Sequence, residues 1–298
     1  MAYILVLHKM IKTLHTLIIV AGLVFAEQVA SADNILIMDQ QGNDVIIDVL
    51  QAGYDNSILV DLGLTSGDKD NTFEVSQNGH NNDVTTSISG ESNSLLFYQQ
   101  GNNNKISWVP YWGSQKAYGG DIDGNYNNLH YEQQCSYASC QQSYIGQHIQ
   151  GNSNNVRWGQ GVKLDNSADT SFYYDGMEEG GKTAIIDIHG DSNSLVGWQA
   201  SSGAGAHSAT VYLYSDSNSA YIEQRGNGNK TLNLTMYNDS NAVGIVQRDN
   251  AAHTAAITLQ GLYSTSLDLL QQGTTAQSYT LFQDCQTIGG CSVSITQD

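Results

Sequence analysis

Basic residues and proline are scarce in this chain of 298 residues. It contains 11 Lys and Arg against 29 Asp and Glu, and its formal net charge is -18. A nucleic acid is therefore not an expected partner, because binding to phosphates requires clustered Lys and Arg. Proline occurs once, at Pro110. Since proline cannot donate to the hydrogen-bond ladder of a sheet, its scarcity is compatible with a chain built mainly from strands.

An eleven-residue repeat occupies much of the sequence. In its clearest stretch, Asn71, Asn82, Asn93 and Asn104 are spaced eleven residues apart, and a Gln follows several of these positions by six residues, as Gln99 follows Asn93. The second and fourth residues after the Asn are mostly apolar, which is the period-two pattern of a strand that buries one face. Units this small must stack on their neighbours. The repeat therefore predicts an all-β fold, a β-solenoid of about ten stacked strand-turn-strand rungs.

The Asn and Gln of the repeat are expected to point inward with the apolar residues. Stacked rungs place equivalent side chains over one another, and an amide can both donate and accept, so a column of amides satisfies its own hydrogen bonds. Gly is expected at the corners, where a positive φ is tolerated. The predicted inward amide ladder comprises Asn34, Gln40, Gln51, Asn56, Asn71, Gln77, Asn82, Asn93, Gln99, Asn104, Asn193, Gln199, Asn218, Gln224, Asn241 and Gln247.

The first 32 residues differ from the rest. Lys9 and Lys12 precede an apolar run over residues 14–25, and Ala30, Ser31 and Ala32 supply the small residues that a signal peptidase requires. The run is too short to span a bilayer comfortably. We therefore expect a cleaved signal peptide over residues 1–32 and one repeat domain over residues 33–298, with an uncleaved anchor as the alternative.

The four cysteines form two closely spaced pairs. Cys135 and Cys140 enclose one short loop, Cys285 and Cys291 enclose another, and each pair begins two residues after a Gln of the repeat. Two local disulfides at corners of the solenoid are expected in an oxidising compartment. A zinc site is the alternative, although neither pair has the two-residue spacing of a zinc knuckle.

These repeats resemble those of the curlins, the subunits of curli amyloid fibres on bacterial surfaces. Residues 71–99 match the curlin pattern of Asn or Ser, Gln, Gly, Asn and Gln nearly throughout, and residues 34–51 and 218–229 follow it closely. The resemblance implies a secreted structural subunit that assembles head to tail into extracellular amyloid fibres at the cell surface. Such fibres support the biofilm matrix, adhesion and cell aggregation. The resemblance also implies a nucleator subunit and an outer-membrane secretion channel as partners.

No catalytic residue, cofactor or metal site is predicted. The histidines are dispersed along the sequence without a pair at metal-ligand spacing, and they are interpreted as surface or corner residues: His80, His130, His148, His189, His207 and His253. Asp121 and Asp123 precede a Gly and are interpreted as part of a solvated turn, with a calcium site or a catalytic cleft as alternatives. Surface loops are expected where the repeat is interrupted, at residues 61–70, 109–124, 160–181 and 200–206.

Two other functions are compatible with a solenoid. One is a monomeric secreted adhesin, or a protein that binds glycans or ice; an ice-binding face would need a column of Thr, and no such column is evident in the repeat. The other is a β-helix enzyme acting on polysaccharides, but a narrow solenoid filled by its own side chains offers little of the concavity that catalysis needs. The chain is therefore not expected to be an enzyme.

Overall fold

A computed structural model describes most of the repeat region and two N-terminal segments. The described residues are 3–9, 18–22, 34–53, 55–62, 70–79, 81–88, 90, 92–101, 103, 105–108, 117–123, 126–133, 143–150, 153, 155–160, 162–164, 172–174, 182–189, 192–201, 207–214, 217, 219–226, 229–237, 241–248, 252–261, 265–272, 277–286 and 291–297. No helix in this part of the chain is long and apolar enough to cross a membrane.

The structure is all-β and contains two large parallel sheets. Sheet A consists, in spatial order, of β1 (Tyr3–Lys9), β3 (Asn34–Gln40), β5 (Ser57–Leu62), β7 (Asp83–Ile88), β9 (Lys105–Trp108), β11 (Asn128–Gln133), β13 (Asn155–Gln160), β17 (Ser194–Ser201), β19 (Ser219–Gly226), β21 (Ala242–Gln247), β23 (Ser266–Gln271) and β25 (Ser292–Gln297). Sheet B consists of β2 (Ile18–Gly22), β4 (Ile46–Ala52), β6 (Thr72–Asn78), β8 (Ser94–Gln100), β10 (Ala117–Asp123), β12 (Ser143–Gln150), β16 (Lys182–His189), β18 (His207–Tyr214), β20 (Lys230–Tyr237), β22 (His253–Gly261) and β24 (Gln277–Cys285). A separate antiparallel hairpin joins β14 (Val162–Leu164) to β15 (Phe172–Tyr174).

The chain alternates between the two sheets, and the result is the β-solenoid that the repeat predicts. Each strand pairs in parallel with the equivalent strand one rung away, so Gln51 lies opposite Gln77 and Gln77 opposite Gln99. The β14–β15 hairpin is inserted between β13 and β16 and leaves both stacks unbroken, since β13 pairs with β17 and β12 with β16. An insertion at a corner therefore changes the chain length of a rung but not its register.

The core lies between the sheets and follows the period-two pattern. Inward-facing side chains such as Phe73 and Val75 are fully buried, and the side chains between them face outward. In the middle rungs the core is aromatic, with the Trp108 and Tyr118 rings stacked at 5.2 Å. Gly197 makes room for this cluster, because a Cβ at this position would lie 1.9 Å from the indole of Trp158.

The corners combine glycine with a polar residue of positive φ. Gly53 has φ 135° and Asp55 has φ 55°, and the same pair of conformations recurs one rung on at Gly79 (φ 151°) and Asn81 (φ 55°). Asp and Asn tolerate the left-handed region better than other residues with a Cβ, because their short side chains can bond locally. The expectation of Gly at corners is met at these positions.

The number of turns differs from the expected ten. The sheets contain twelve and eleven strands, because β1 and β2, from the segment assigned to the signal peptide, pair with β3 and β4. Cleavage of that segment stays a prediction.

The expected loop over residues 109–124 is wrong in part, because β10 lies within it and fills a place in sheet B between β8 and β12. Asp121 and Asp123 therefore belong to a strand and not to a turn.

The cysteines are only partly described. Cys291 is disulfide-bonded, and the described part of the chain contains no free cysteine. Cys135 and Cys140 lie outside the described residues, so the pairing of the four cysteines stays a prediction.

Candidate functional site

Three glutamines form a hydrogen-bonded ladder inside the N-terminal rungs. Gln77 Nε2 donates to Gln51 Oε1 at 2.8 Å, and Gln99 Nε2 donates to Gln77 Oε1 at 2.7 Å. All three side chains are buried. We call this set the N-terminal glutamine ladder. It ends at Gln99 because the next residue in the column is Ile122, which has no polar group.

A second column of glutamines lies at the other corner of the solenoid, in sheet A. Gln199 Nε2 donates to Gln160 Oε1 at 2.8 Å, and Gln224 Nε2 donates to Gln199 Oε1 at 2.7 Å. The column continues in register through Gln247, Gln271 and Gln297. We call the column from Gln160 to Gln297 the C-terminal glutamine ladder. The predicted set contained Gln199, Gln224 and Gln247 but not the others. Residue 160 begins an interruption of the repeat, and Gln271 and Gln297 follow Thr265 and Cys291, instead of an Asn, by six residues.

The C-terminal ladder also holds its corner together. From Gln160 to Gln271, each Gln side chain of the ladder donates to the carbonyl of the second residue in the sheet B strand that follows, as Gln224 does to Thr231 at 3.2 Å and Gln271 to Ser278 at 3.0 Å. One amide thus bonds along the stack and across the corner, which explains why a residue with two amide hydrogens occupies this position.

The described asparagines bond mainly to the backbone and not to one another. Asn71 Oδ1 accepts from the backbone N–H of Val45 at 3.1 Å, one rung away. Asn56 and Asn82 donate to the carbonyls of Gly53 and Gly79 at 3.1 and 3.2 Å, within their own corners. These asparagines fix the corner backbone, whereas the glutamines form the side-chain ladders. Asn104 and Asn218 lie outside the described residues, as does the side chain of Asn34.

An exposed amide ladder, which the sequence analysis missed, runs along the same corner. Asn81 Nδ2 donates to Asp55 Oδ1 at 2.8 Å, and Asn103 Nδ2 donates to Asn81 Oδ1 at 2.5 Å. Each of these residues immediately precedes an Asn of the repeat. The signal was present in the sequence as a second polar residue directly before the Asn of the repeat, at spacings of 26 and 22 residues.

Both corner columns hold a glutamine in the first rung, which begins with β3, and in the last rung. The described middle rungs lack this feature. Gln40 is the last residue of β3 and Gln51 the second to last of β4, while Gln297 in β25 and Gln283 in β24 occupy the same two columns. In the described middle rungs one of the two positions is apolar, as at Leu62 in β5.

The outermost strand of sheet A at this end, β25, is exposed along its whole length. Val293 and Ile295 are 42% and 39% exposed, although their equivalents in β23, Leu267 and Leu269, are buried. This end of the solenoid therefore presents an apolar strand with an unpaired edge, within the part of the chain that the structure describes.

A buried column of Lys and His replaces asparagine at the start of four sheet B strands. Lys182, His207, Lys230 and His253 lie in register in adjacent rungs, and all four are buried. The pKa of His207 is lowered to about 3, first by burial and then by the charges of Lys182 and Lys230 on either side, although a hydrogen bond with the Arg225 backbone acts in the opposite sense. His207 and His253 are the first residues of β18 and β22 and so lie next to corners, but they are buried, and their interpretation as surface residues is wrong.

The outer face of sheet B brings other histidines together. His148 lies opposite Asp187, and His189 follows two residues later on the same face of β16. One ligand atom from each of these three residues lies within 4.8 Å of the others. The two histidines are 41 positions apart in the sequence, and the β14–β15 hairpin lies between them. They therefore do not form a pair at metal-ligand spacing in the sequence.

The same face carries a column of hydroxyl side chains. Thr183, Ser208, Thr231, Thr254 and Ser278 occupy equivalent outward positions in five successive rungs. The statement that the repeat contains no Thr column is therefore wrong for this half of sheet B. The column is not visible in the sequence, because strand pairing brings these residues together and the number of residues between them varies.

No protein-family model matches the chain, and no curated protein or solved structure is significantly similar to it.

Proposed function

We propose that the mature chain is a secreted, curlin-like structural subunit that stacks head to tail into extracellular fibres. The observation that carries this proposal is the exposed β25 strand, together with the glutamine at both corners of each end rung. A subunit placed on β25 would extend sheet A, bury Val293 and Ile295, and continue the corner column of that sheet from Gln297 to Gln40. Repeated addition of this kind gives an open fibre, because the interface is heterologous and does not close.

The two end rungs match position by position. In sheet A, Val293, Ile295 and Gln297 of one subunit would lie over Leu36, Met38 and Gln40 of the next, since these residues occupy the same columns. The match places apolar on apolar and amide on amide, which is the arrangement that stabilises cross-β stacks.

Sheet B has the same residue types in its end strands. Tyr279, Leu281 and Gln283 occupy the same columns as Ile47, Val49 and Gln51, and the partly buried Tyr279 and Leu281 already pack against the core. From β3 onward sheet A contains eleven strands and sheet B ten, so pairing of β3 with β25 leaves one strand position open between β24 and β4 of the next subunit.

Removal of the N-terminal segment is part of the proposal. β1 and β2 pair with the edges of β3 and β4 to which the next subunit would add. A signal peptidase that cleaves after Ala32 would free these edges only after export. The fibre would then form at the cell surface, with a nucleator subunit and an outer-membrane secretion channel as partners and biofilm support, adhesion and cell aggregation as its roles.

The proposal is tested by dilution of residues 33–298 from denaturant, followed by electron microscopy and thioflavin fluorescence. Fibres are expected, and the uncleaved chain should form them much more slowly. An Ile295→Lys variant should block elongation, because it would place an ammonium group in the junction. Ser294→Lys is the matched control, since Ser294 faces outward on the same exposed strand. Equal elongation by the two variants would contradict the proposed junction.

The hydroxyl column favours a second candidate, a monomeric binding protein. Thr and Ser side chains on successive rungs are about 4.8 Å apart and form a regular polar surface. Such a surface suits ice or a glycan chain. A soluble monomer with thermal hysteresis or glycan affinity, which Thr231→Lys and Thr254→Lys abolish, would support this function in place of the fibre.

A further inference from the structure

The outer face of sheet B holds a cluster of nitrogen and oxygen ligands from three strands. His189 Nε2 and Asp187 Oδ1 are 3.0 Å apart, and His148 lies directly opposite Asp187 in the neighbouring strand. On the other side of His148, its Nδ1 is 3.6 Å from Asp121 Oδ1 in β10. Two imidazoles and two carboxylates thus converge on one face, although no two of the contributing strands are consecutive in the sequence.

Aromatic contacts orient the two imidazoles. The His189 ring stacks on Tyr214 with a centroid distance of 4.4 Å and an angle of 17° between the planes. The His148 and His189 rings meet edge to face at 5.4 Å. Groups around metal ligands commonly fix ring orientation in this way, and they contribute to affinity through the ligands that they hold.

The donor set indicates which cation the cluster suits. Imidazole is a ligand for zinc, copper and nickel, whereas calcium and magnesium prefer sites made of oxygen atoms alone. Small rotations of the three side chains would bring their ligand atoms, now within 4.8 Å of one another, to the roughly 2.0–2.2 Å metal–ligand distances of zinc sites.

Two surface ion pairs, His189 with Asp187 and His148 with Asp121, need no metal. They do not require the two pairs to lie together, whereas one ligand atom from each of His148, Asp187 and His189 lies within 4.8 Å of the others. The side chains of His148, Asp187 and His189 are 38%, 34% and 41% exposed, so a cation reaches them from solvent without any change of fold. The net charge of -18 also favours the approach of cations.

We propose that His148, Asp187 and His189 bind a divalent transition-metal ion of the zinc or copper type on the lateral face of the solenoid, with Asp121 orienting His148. With three protein ligands, the remaining coordination positions are open to water or to a ligand from another molecule. The site is distinct from the end strands that the proposed fibre would use. Metal binding and fibre formation can therefore fail independently.

The test is titration of the full chain with ZnCl2 by calorimetry, with CaCl2 as the comparison cation. Asp121→Asn should weaken the zinc affinity by about 10- to 100-fold, which is typical of losing a residue that holds a metal ligand in place. His148→Gln and His189→Gln should each weaken it by more than that. His130→Gln is the matched control, because His130 lies on the outer face of sheet A. All four side chains face outward, so these variants should keep the circular dichroism spectrum of the parent chain.

Copper provides a second measurement. Cu2+ at one equivalent should give an electron paramagnetic resonance spectrum with hyperfine coupling to two imidazole nitrogens, and either histidine variant should reduce this to one. Zinc binding that His148→Gln and His189→Gln leave unchanged, or that His130→Gln weakens equally, would overturn the proposal. An equal affinity for calcium would overturn the assignment of the cation class.

Discussion

Gln99 Nε2 donates to Gln77 Oε1 across 2.7 Å, although 22 residues separate the two in sequence. This bond joins adjacent rungs inside the core, where neither amide can exchange it for a bond to water. An amide without its partner would carry the full cost of desolvation, so each glutamine of the ladder depends on its neighbours.

The N-terminal glutamine ladder should therefore respond non-additively to substitution. Gln77→Leu leaves buried polar atoms of Gln51 and Gln99 without the bonds they make to Gln77, and should lower the free energy of unfolding by about 1–3 kcal/mol. Replacing all three glutamines by Leu should cost less than the single change, because no unsatisfied amide remains. Chemical denaturation followed by circular dichroism measures both.

The middle rungs provide the precedent for that triple variant. The same column continues as Ile122, Ile149 and Ile188, all of which are buried. A triple variant less stable than Gln77→Leu would show that the ladder contributes more than the satisfaction of its own amides.

Substitution of Gln77 and Gln99 by Leu should slow templated growth of fibres. The ladder specifies register, since a slip of one residue would separate the amides. The apolar core can bury Leu at both positions. The substitutions should therefore lower the elongation rate more than they reduce the apolar surface that the core buries. Elongation from preformed seeds, followed by thioflavin fluorescence, is the measurement, and unchanged rates would contradict the prediction.

Acid should destabilise the solenoid through His207. The pKa of this imidazole is about 3 in the folded chain and about 6.5 in an unfolded one. Below pH 6.5 the unfolded state binds the proton first, so stability is fully present above that pH and is lost as the pH falls toward 3. Between pH 6.5 and 4 the loss should reach on the order of 3 kcal/mol.

His207→Asn isolates this effect, because asparagine occupies the same column in the N-terminal rungs and does not titrate. The variant should unfold with a weaker dependence on pH in this range than the parent chain. Denaturation midpoints measured from pH 7 to pH 4 make the comparison, and equal slopes for His207→Asn and the parent would contradict the role of His207.

Gly197→Ala should destabilise the middle rungs. A Cβ at this position would lie 1.9 Å from the ring of Trp158, which is fully buried and cannot move aside. Overpacking of this kind costs about 1–3 kcal/mol. In a Trp158→Leu background the same substitution should cost little, so a double-mutant cycle on unfolding free energies should show strong coupling. Additive effects would indicate that the two residues do not compete for space.

The repeat predicts most of the fold, because an eleven-residue spacing with alternating apolar residues determines both the strands and their buried faces. β10 was not predicted from the sequence. Lys116 stands where the repeat would have Asn, and the two glycines Gly119 and Gly120 are typical of a loop. Gly120 is instead required by packing, since a Cβ there would meet the Phe97 carbonyl oxygen at 2.0 Å.

The lateral sites could not be predicted from spacing. His148 meets Asp187 only because the β14–β15 hairpin leaves the stack unbroken, and the length of an inserted segment does not reveal whether register resumes after it. The Lys182 and His207 column was visible as residues in phase with the repeat. Their burial was unexpected because charged and titratable side chains are rarely buried without partners.

The central claim is that one subunit adds to the exposed end of another through sheet A, with Gln297 and Gln40 stacked in one column. Cryo-electron microscopy of fibres grown from residues 33–298 tests it most directly. We expect rungs spaced about 4.8 Å apart along the fibre axis, with Gln297 of one subunit in contact with Gln40 of the next. A soluble monomer with β25 still exposed, or fibres in which these two glutamines are far apart, would contradict the account.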